Sequence, residues 1–182
     1  MNSRVILEKK QLDITLDRLV CELIERLGDF KNIAVIGMQP RGIYLSRRIR
    51  EKLTAALGKQ TFNYGELDIS FYRDDFRRNS SPILPHELKI DFDVEGKRIV
   101  LIDDVLYTGR TIRAALEALN DFGRPAKVEL LVLVDRKYSR DLPIYPDYVG
   151  LKVDTRAHDK VIVDWKENNK KDQVSIITTE PK

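Results

Sequence analysis

Two hydrophobic rhythms alternate along the chain. Three apolar runs, Ile33-Ala34-Val35-Ile36-Gly37-Met38, Ile99-Val100-Leu101-Ile102 and Val128-Glu129-Leu130-Leu131-Val132-Leu133-Val134, are rich in β-branched residues and have the length of buried strands. Between and before them, apolar residues recur at helical spacing. Leu12, Leu16, Leu19, Val20, Leu23, Ile24 and Leu27 trace one helix face, and Gly28 is placed to end it. Tyr44, Leu45, Ile49, Leu53, Ala56 and Leu57 trace a second, and Ile112, Ala115, Leu116 and Leu119 a third. Cys21 lies near the first stripe and is expected to pack there inertly, since no histidine accompanies it locally.

Leu67, Ile69 and Phe71 alternate with Glu66, Asp68 and Ser70, which predicts a half-exposed strand. The charged run from Tyr72 to Arg78 and the turn-rich Asn79-Ser80-Ser81-Pro82 then read as a hairpin with a long tip. Short strands are also expected at Val5-Ile6-Leu7, Tyr148 to Val153, Lys160 to Trp165 and Val174 to Ile177, the first and last at an edge. Alternating strands and helices indicate an α/β fold, a mostly parallel central sheet with helices on both faces. With no linker, repeat or low-complexity tract, one domain over residues 1–182 is expected.

The stretch from Arg98 to Leu119 concentrates the chemistry. An apolar strand ends in two carboxylates, Asp103 and Asp104, and a small-residue turn, Tyr107-Thr108-Gly109-Arg110-Thr111, opens an amphipathic helix. A helix start has unpartnered N–H groups and a positive dipole end. Gly109 allows close backbone approach, Thr108 and Thr111 add hydroxyl donors, and Arg110 adds charge. Together they form a site for a phosphate dianion. Asp103 and Asp104 repel phosphate but suit sugar hydroxyls or a hydrated Mg²⁺ beside it. Phosphate and diol side by side describe a ribose 5-phosphate. The same strand–turn–helix plan occurs earlier, where Gln39-Pro40-Arg41-Gly42 follows the first apolar run; alone it reads as an ordinary loop.

Bulk numbers narrow the setting. The chain has 182 residues, 42% hydrophobic and 34% charged, and a net charge of +3, which permits a nucleic-acid partner without demanding one. A single cysteine rules out an internal disulfide and suits a reducing compartment. No apolar run approaches the ~20 residues of a membrane span, so a cytoplasmic protein is expected.

The string VLIDDVLYTGRT resembles the phosphoribosyl-pyrophosphate (PRPP) signature of type I phosphoribosyltransferases. D-V-L-Y-T-G-R-T is similar in wording to the PyrR group, pyrimidine-operon regulators that also act as uracil phosphoribosyltransferases. ELDISFYRDDF resembles that group's flexible hood, placing a hood at about 62–90, and VILEKKQL, RGIYLSRRI, LVDR, LPIYPDYVGLKV and KVIV also fit. The resemblance covers nearly the whole chain. It implies the type I phosphoribosyltransferase fold and conversion of uracil and PRPP to UMP and pyrophosphate with Mg²⁺. It also implies UMP-responsive binding of pyrimidine-operon leader RNA, and at least a homodimer. An enzyme without RNA control and a purine salvage phosphoribosyltransferase are the alternatives.

The resemblance also implies roles. The 5-phosphate goes to the segment Val105, Leu106, Tyr107, Thr108, Gly109, Arg110 and Thr111. The ribose diol goes to Asp103 and Asp104, directly or through Mg²⁺. Pyrophosphate goes to Pro40, Arg41, Gly42 and Arg73, with the hood closing over PRPP. Uracil sits near Arg136 and the backbone at Val161. Three departures from the group stand out. Pro40 replaces a usual Thr and has no N–H to donate. The stretch from Lys137 to Asp141 is one residue longer than D-R-G-H-R-E-L-P and lacks its Gly-His pair. The first helix, part of the RNA-contacting face in RNA-binding members, carries Asp13 and Asp17, and carboxylates repel phosphate. His86 and His158 read as surface residues.

Overall fold

A computed structural model describes residues 2–58, 61–72, 89–156 and 158–178. In chain order these form β1 (Asn2–Leu7), α1 (Lys9–Leu27), β2 (Ile33–Met38), α2 (Gly42–Leu57), β3 (Asn63–Leu67), β4 (Arg98–Leu106), α3 (Arg110–Leu119), β5 (Lys127–Lys137), β6 (Tyr148–Asp154), β7 (Asp159–Asp164), the single turn α4 (Lys166–Asn169) and β8 (Gln173–Thr178).

The three apolar runs lie side by side. A five-stranded sheet runs β3-β2-β4-β5-β6 with every neighbouring pair parallel. Period-two alternation divides its side chains between two cores. Val35, Val100, Ile102, Leu131 and Leu133 face α1 and α2 and pack with Leu16, Leu23, Leu45 and Ile49. Ala34, Ile36, Ile99, Leu101 and Val132 face α3 and pack with Ile112, Ala115 and Leu119. Helices on both faces explain why these strands are apolar throughout rather than alternating.

A second sheet of three antiparallel strands, β1-β8-β7, is separate from the first. Short apolar runs do not reveal which sheet they join. Of the late strands, only β6 extends the parallel sheet. β1 and β7 are the edges of the small sheet, and β8, expected at an edge, is central. Arg48 of α2 fastens the small sheet to the body: it stacks on Trp165 at 4.6 Å and bonds Glu167 at 2.9 Å and Asp172 at 2.7 Å.

Three further expectations are corrected. The strand expected around Leu67–Phe71 lies earlier, at Asn63–Leu67, and the charged Glu66 and Asp68 are buried along with Leu67 and Ile69. Glu66 is covered because Arg47 clasps it through two bonds of 2.7 and 2.9 Å, and Asp68 accepts from the Ser70 amide at 2.8 Å. An antiparallel bridge joins Glu66 and Lys89; the segment expected to form the hairpin tip, with Arg73 and His86, lies outside the described residues. In α3 the buried face is rotated: Ala114 and Ala118 are inside and Leu116 is exposed, because alanines let the helix lie close to the sheet. Cys21 is exposed on α1 rather than packed in its stripe.

Among the described residues no helix is long and apolar enough to cross a membrane.

Candidate active site

In an open parallel sheet, ligands bind beyond the carboxyl ends of the strands. Here the ends of β2, β4 and β5 carry Gln39–Gly42, Asp103–Arg110 and Asp135–Arg136 on one rim. The carboxylates do not follow β4 as an acidic end; they are part of it, Asp103 paired with Val132 of β5. Their backbone is therefore fixed by the sheet.

The β2 turn, which includes a cis Gln39–Pro40 bond, delivers Arg41 to the start of α2. A Cβ on Gly42 would stand 2.4 Å from the Ile102 carbonyl oxygen and 3.3 Å from Asp103 Oδ1, so only glycine lets the start of α2 approach β4 this closely.

The two acids differ. Asp103 Oδ1 accepts the Asp104 amide at 2.9 Å. Asp104 is buried, and its Oδ2 has no hydrogen-bond partner among the described residues. Burial pushes the Asp104 pKa up, while the Arg41 charge and nearby amides pull against it. A buried oxygen left without a donor is costly. It fits a group supplied by a ligand: a sugar hydroxyl or a hard cation. No cluster of three or more acidic, histidine or cysteine side chains exists among the described residues. Mg²⁺ would therefore take its remaining oxygens from its substrate or water.

After β4 the chain turns through Gly109, whose φ of 92° lies in the left-handed region. A Cβ there would also press on Ile144 at 3.2 Å. The first helical bond of α3 runs from the Arg113 amide to the Gly109 carbonyl at 3.0 Å, which leaves the Thr111 and Ile112 amides outside the helical ladder. The Arg110 amide makes a long contact of 3.4 Å to Thr108 Oγ1, and the Arg110 side chain pairs with Asp141 at 3.0 Å.

The turn is braced by a segment whose role the sequence did not reveal. Arg140 reaches the carbonyls of Leu106, Tyr107 and Arg136 and pairs with Asp135. The amides of Asp141 and Leu142 both donate to the Thr108 carbonyl, at 3.0 and 3.2 Å. The carbonyls of Leu106, Tyr107 and Thr108 are thus occupied. The only signal in the sequence was that this loop departs in length from the resembling group.

Arg136 is buried; its Nε bonds Thr155 at 3.0 Å, and its Nη2 has no partner among the described residues. Burial lowers its pKa, against the pull of Tyr107 and Asp159. Val161, in β7, is buried in the same apolar cluster as Val134 and Val153, against which Val105 also packs. His158 is exposed in a turn. The structure therefore gathers Pro40, Arg41, Gly42, Asp103 to Thr111 and Arg136 on the sheet rim, with Val161 on the neighbouring small sheet. Arg73 falls outside the described residues.

Comparison with known proteins bears on the fold and the family. The family model described as phosphoribosyl transferase domain matches residues 4–169. A protein of Elusimicrobium minutum named bifunctional protein PyrR is 44% identical over 174 residues, covering 96% of each chain. A protein of the same name from Bacillus cereus (strain B4264) is 41% identical over 175 residues, covering 94% of this chain and 96% of its own. Among solved structures, a hypoxanthine phosphoribosyltransferase from Staphylococcus aureus aligns with a TM-score of 0.70 at 18% identity, over 97% of this chain and 92% of its own. A hypoxanthine-guanine phosphoribosyltransferase from Bacillus anthracis aligns with a TM-score of 0.71 at 14% identity, over 96% and 98%. At such identities the structures speak for the fold alone. The full-length sequence matches go further: this chain belongs to the phosphoribosyl transferase domain family and, within it, to the PyrR group.

Proposed function

We propose that this protein is a uracil phosphoribosyltransferase of the PyrR type, joining uracil to PRPP to form UMP and pyrophosphate, and that it also regulates pyrimidine-operon expression by binding leader RNA in response to UMP. The carrying observation is the rim itself. The open first turn of α3, an unpartnered buried Asp104 oxygen and the charge of Arg41 are adjacent, and together they match phosphate, diol and pyrophosphate.

Displacement at C1 of PRPP passes through a state with oxocarbenium character, so no covalent nucleophile is required. The work is orientation and charge complementarity. The Thr108–Thr111 turn anchors the 5-phosphate. Asp103 and Asp104 orient the ribose hydroxyls and lie close to the positive charge that develops at C1. Arg41, and by family resemblance Arg73, hold the departing pyrophosphate. Asp103 and Asp104, with the substrate's own oxygens, would hold Mg²⁺, which would supply positive charge beside the leaving group. Uracil enters near Arg136 and Val161, where main-chain groups can read its polar edge.

The substrate test is direct. With PRPP and Mg²⁺ present, uracil, hypoxanthine, guanine and orotate are offered in turn; UMP is expected from uracil alone. Product from hypoxanthine but not uracil would overturn the assignment.

The regulatory half has its own test, sharpened by α1. Arg18 donates to the carbonyls of Val149 and Gly150, Arg26 donates to the Asp147 carbonyl at 2.7 Å, and Asp17 pairs with Lys52. Leader RNA is titrated at several salt concentrations with and without UMP. Binding tightened by UMP and steeply salt-dependent supports regulation. Weak binding indifferent to UMP leaves an enzyme alone.

A further inference from the structure

One side chain of the phosphate turn is unused by the phosphate and by the diol. The Tyr107 ring lies over the guanidinium of Arg136, 3.8 Å from guanidinium carbon to ring centroid. Tyr107 is 42% exposed. Arg136 occupies one ring face, so the exposure belongs to the other face and the edge. The Arg136 beneath is 5% exposed, anchored to Thr155, and retains one buried nitrogen, Nη2, with no partner among the described residues. The Arg136 side chain is thus held in place beneath the ring.

Stereochemistry says which part of the ligand stands there. Displacement with inversion puts the entering nitrogen and the leaving pyrophosphate on opposite faces of the sugar. In the sheet, β4 is flanked by β2 on one side and β5 on the other. Asp103 and Asp104 lie on β4, Arg41 follows β2, and Arg136 ends β5. With pyrophosphate over the β2 side, the base must enter over the β5 side, above Tyr107.

We infer that the outer face of Tyr107 is the platform on which the nucleobase stacks, with Arg136 as the backing that fixes the ring. This rests on the phosphoribosyl-transfer reading of the rim and names a residue that reading leaves idle. A stacked phenol is rigid, having two torsions, and presents a π face that any base can use. The platform therefore sets affinity and orientation of the base, and main-chain groups set its identity.

The test separates base from sugar phosphate. Binding of UMP and of ribose 5-phosphate is measured by calorimetry for the wild type, Tyr107→Leu and Tyr107→Phe. Tyr107→Leu should weaken UMP about tenfold and change ribose 5-phosphate by less than about twofold, while Tyr107→Phe, which keeps the π face, should hold both. In steady state Tyr107→Leu should raise KM for uracil and not KM for PRPP. Equal weakening of both ligands would make Tyr107 a mere shaper of the phosphate turn and overturn the inference, as would no weakening of UMP. If the wild type prefers IMP to UMP, the pyrimidine assignment fails, and the same comparison run with IMP decides the platform on its own.

Discussion

The two ends of the β4–β5 pair treat their charges in opposite ways. At the amino end Arg98 grips Glu129 with bonds of 2.6 and 2.8 Å, and Lys127 adds a third at 2.8 Å. Burial pulls the Glu129 pKa up, but those bonds outweigh it and hold the carboxyl below its ordinary value. At the carboxyl end a buried acid, Asp104, and a buried base, Arg136, each keep an atom without a partner among the described residues. There burial wins, and the Asp104 pKa is raised. One pair of strands thus holds a completed electrostatic joint and an uncompleted one. The completed joint stabilises the fold. The uncompleted one costs stability and leaves polar atoms for a ligand to satisfy.

The largest expected effect comes from spoiling the open end. Thr111→Glu sets a carboxylate against the phosphate site and should weaken ribose 5-phosphate and PRPP by more than about 100-fold. Calorimetry reads this, and unchanged affinity would remove the pocket from that turn.

The closed end is broken by Arg98→Leu, which leaves buried Glu129 with Lys127 alone. A loss of about 2 kcal/mol in urea unfolding at neutral pH is expected, with transferase activity retained. The sign follows from the lowered pKa. The stabilisation is present above the ordinary carboxylate range and is lost as pH falls through the folded-state value. The difference between variant and wild type should therefore shrink near pH 3, and a loss independent of pH would contradict the account.

The smallest effect on folding, and the sharpest contrast, is Asp104→Asn. A raised pKa means the folded state disfavours the charged form, so the burden is present at neutral pH and relieved once the carboxyl is protonated. The variant should be more stable than wild type by about 1 kcal/mol at pH 7 while losing most of its transferase rate. Thermal melts across pH check this: the gain should disappear in acid. Destabilisation at pH 7 would mean the carboxylate is already satisfied.

Much of this rim was legible in advance. The apolar runs placed β2, β4 and β5, and the order of Asp103, Asp104 and the Thr108–Thr111 turn marked a strand end, a glycine turn and a helix start, because these are local features. Legibility failed where partners come from elsewhere in the chain. Glu66 alternates like a solvent-facing strand residue, yet Arg47 covers it from a helix nineteen positions away. Cys21 sits near an apolar stripe but beyond the packed surface. Arg140 looked like part of a loop of altered length, yet it braces the turn from behind.

The amino-acid sequence by itself therefore determined the strand–turn–helix units and the polar groups at their junctions, since periodicity and turn chemistry act over a few residues. Only the tertiary structure decided that the late strands divide between two sheets, that Asp104 is stranded and Glu129 is not, and that Tyr107 rests on Arg136. Those outcomes depend on which side chains meet across the sheet and on how much water burial removes from each, and neither is written in neighbouring positions.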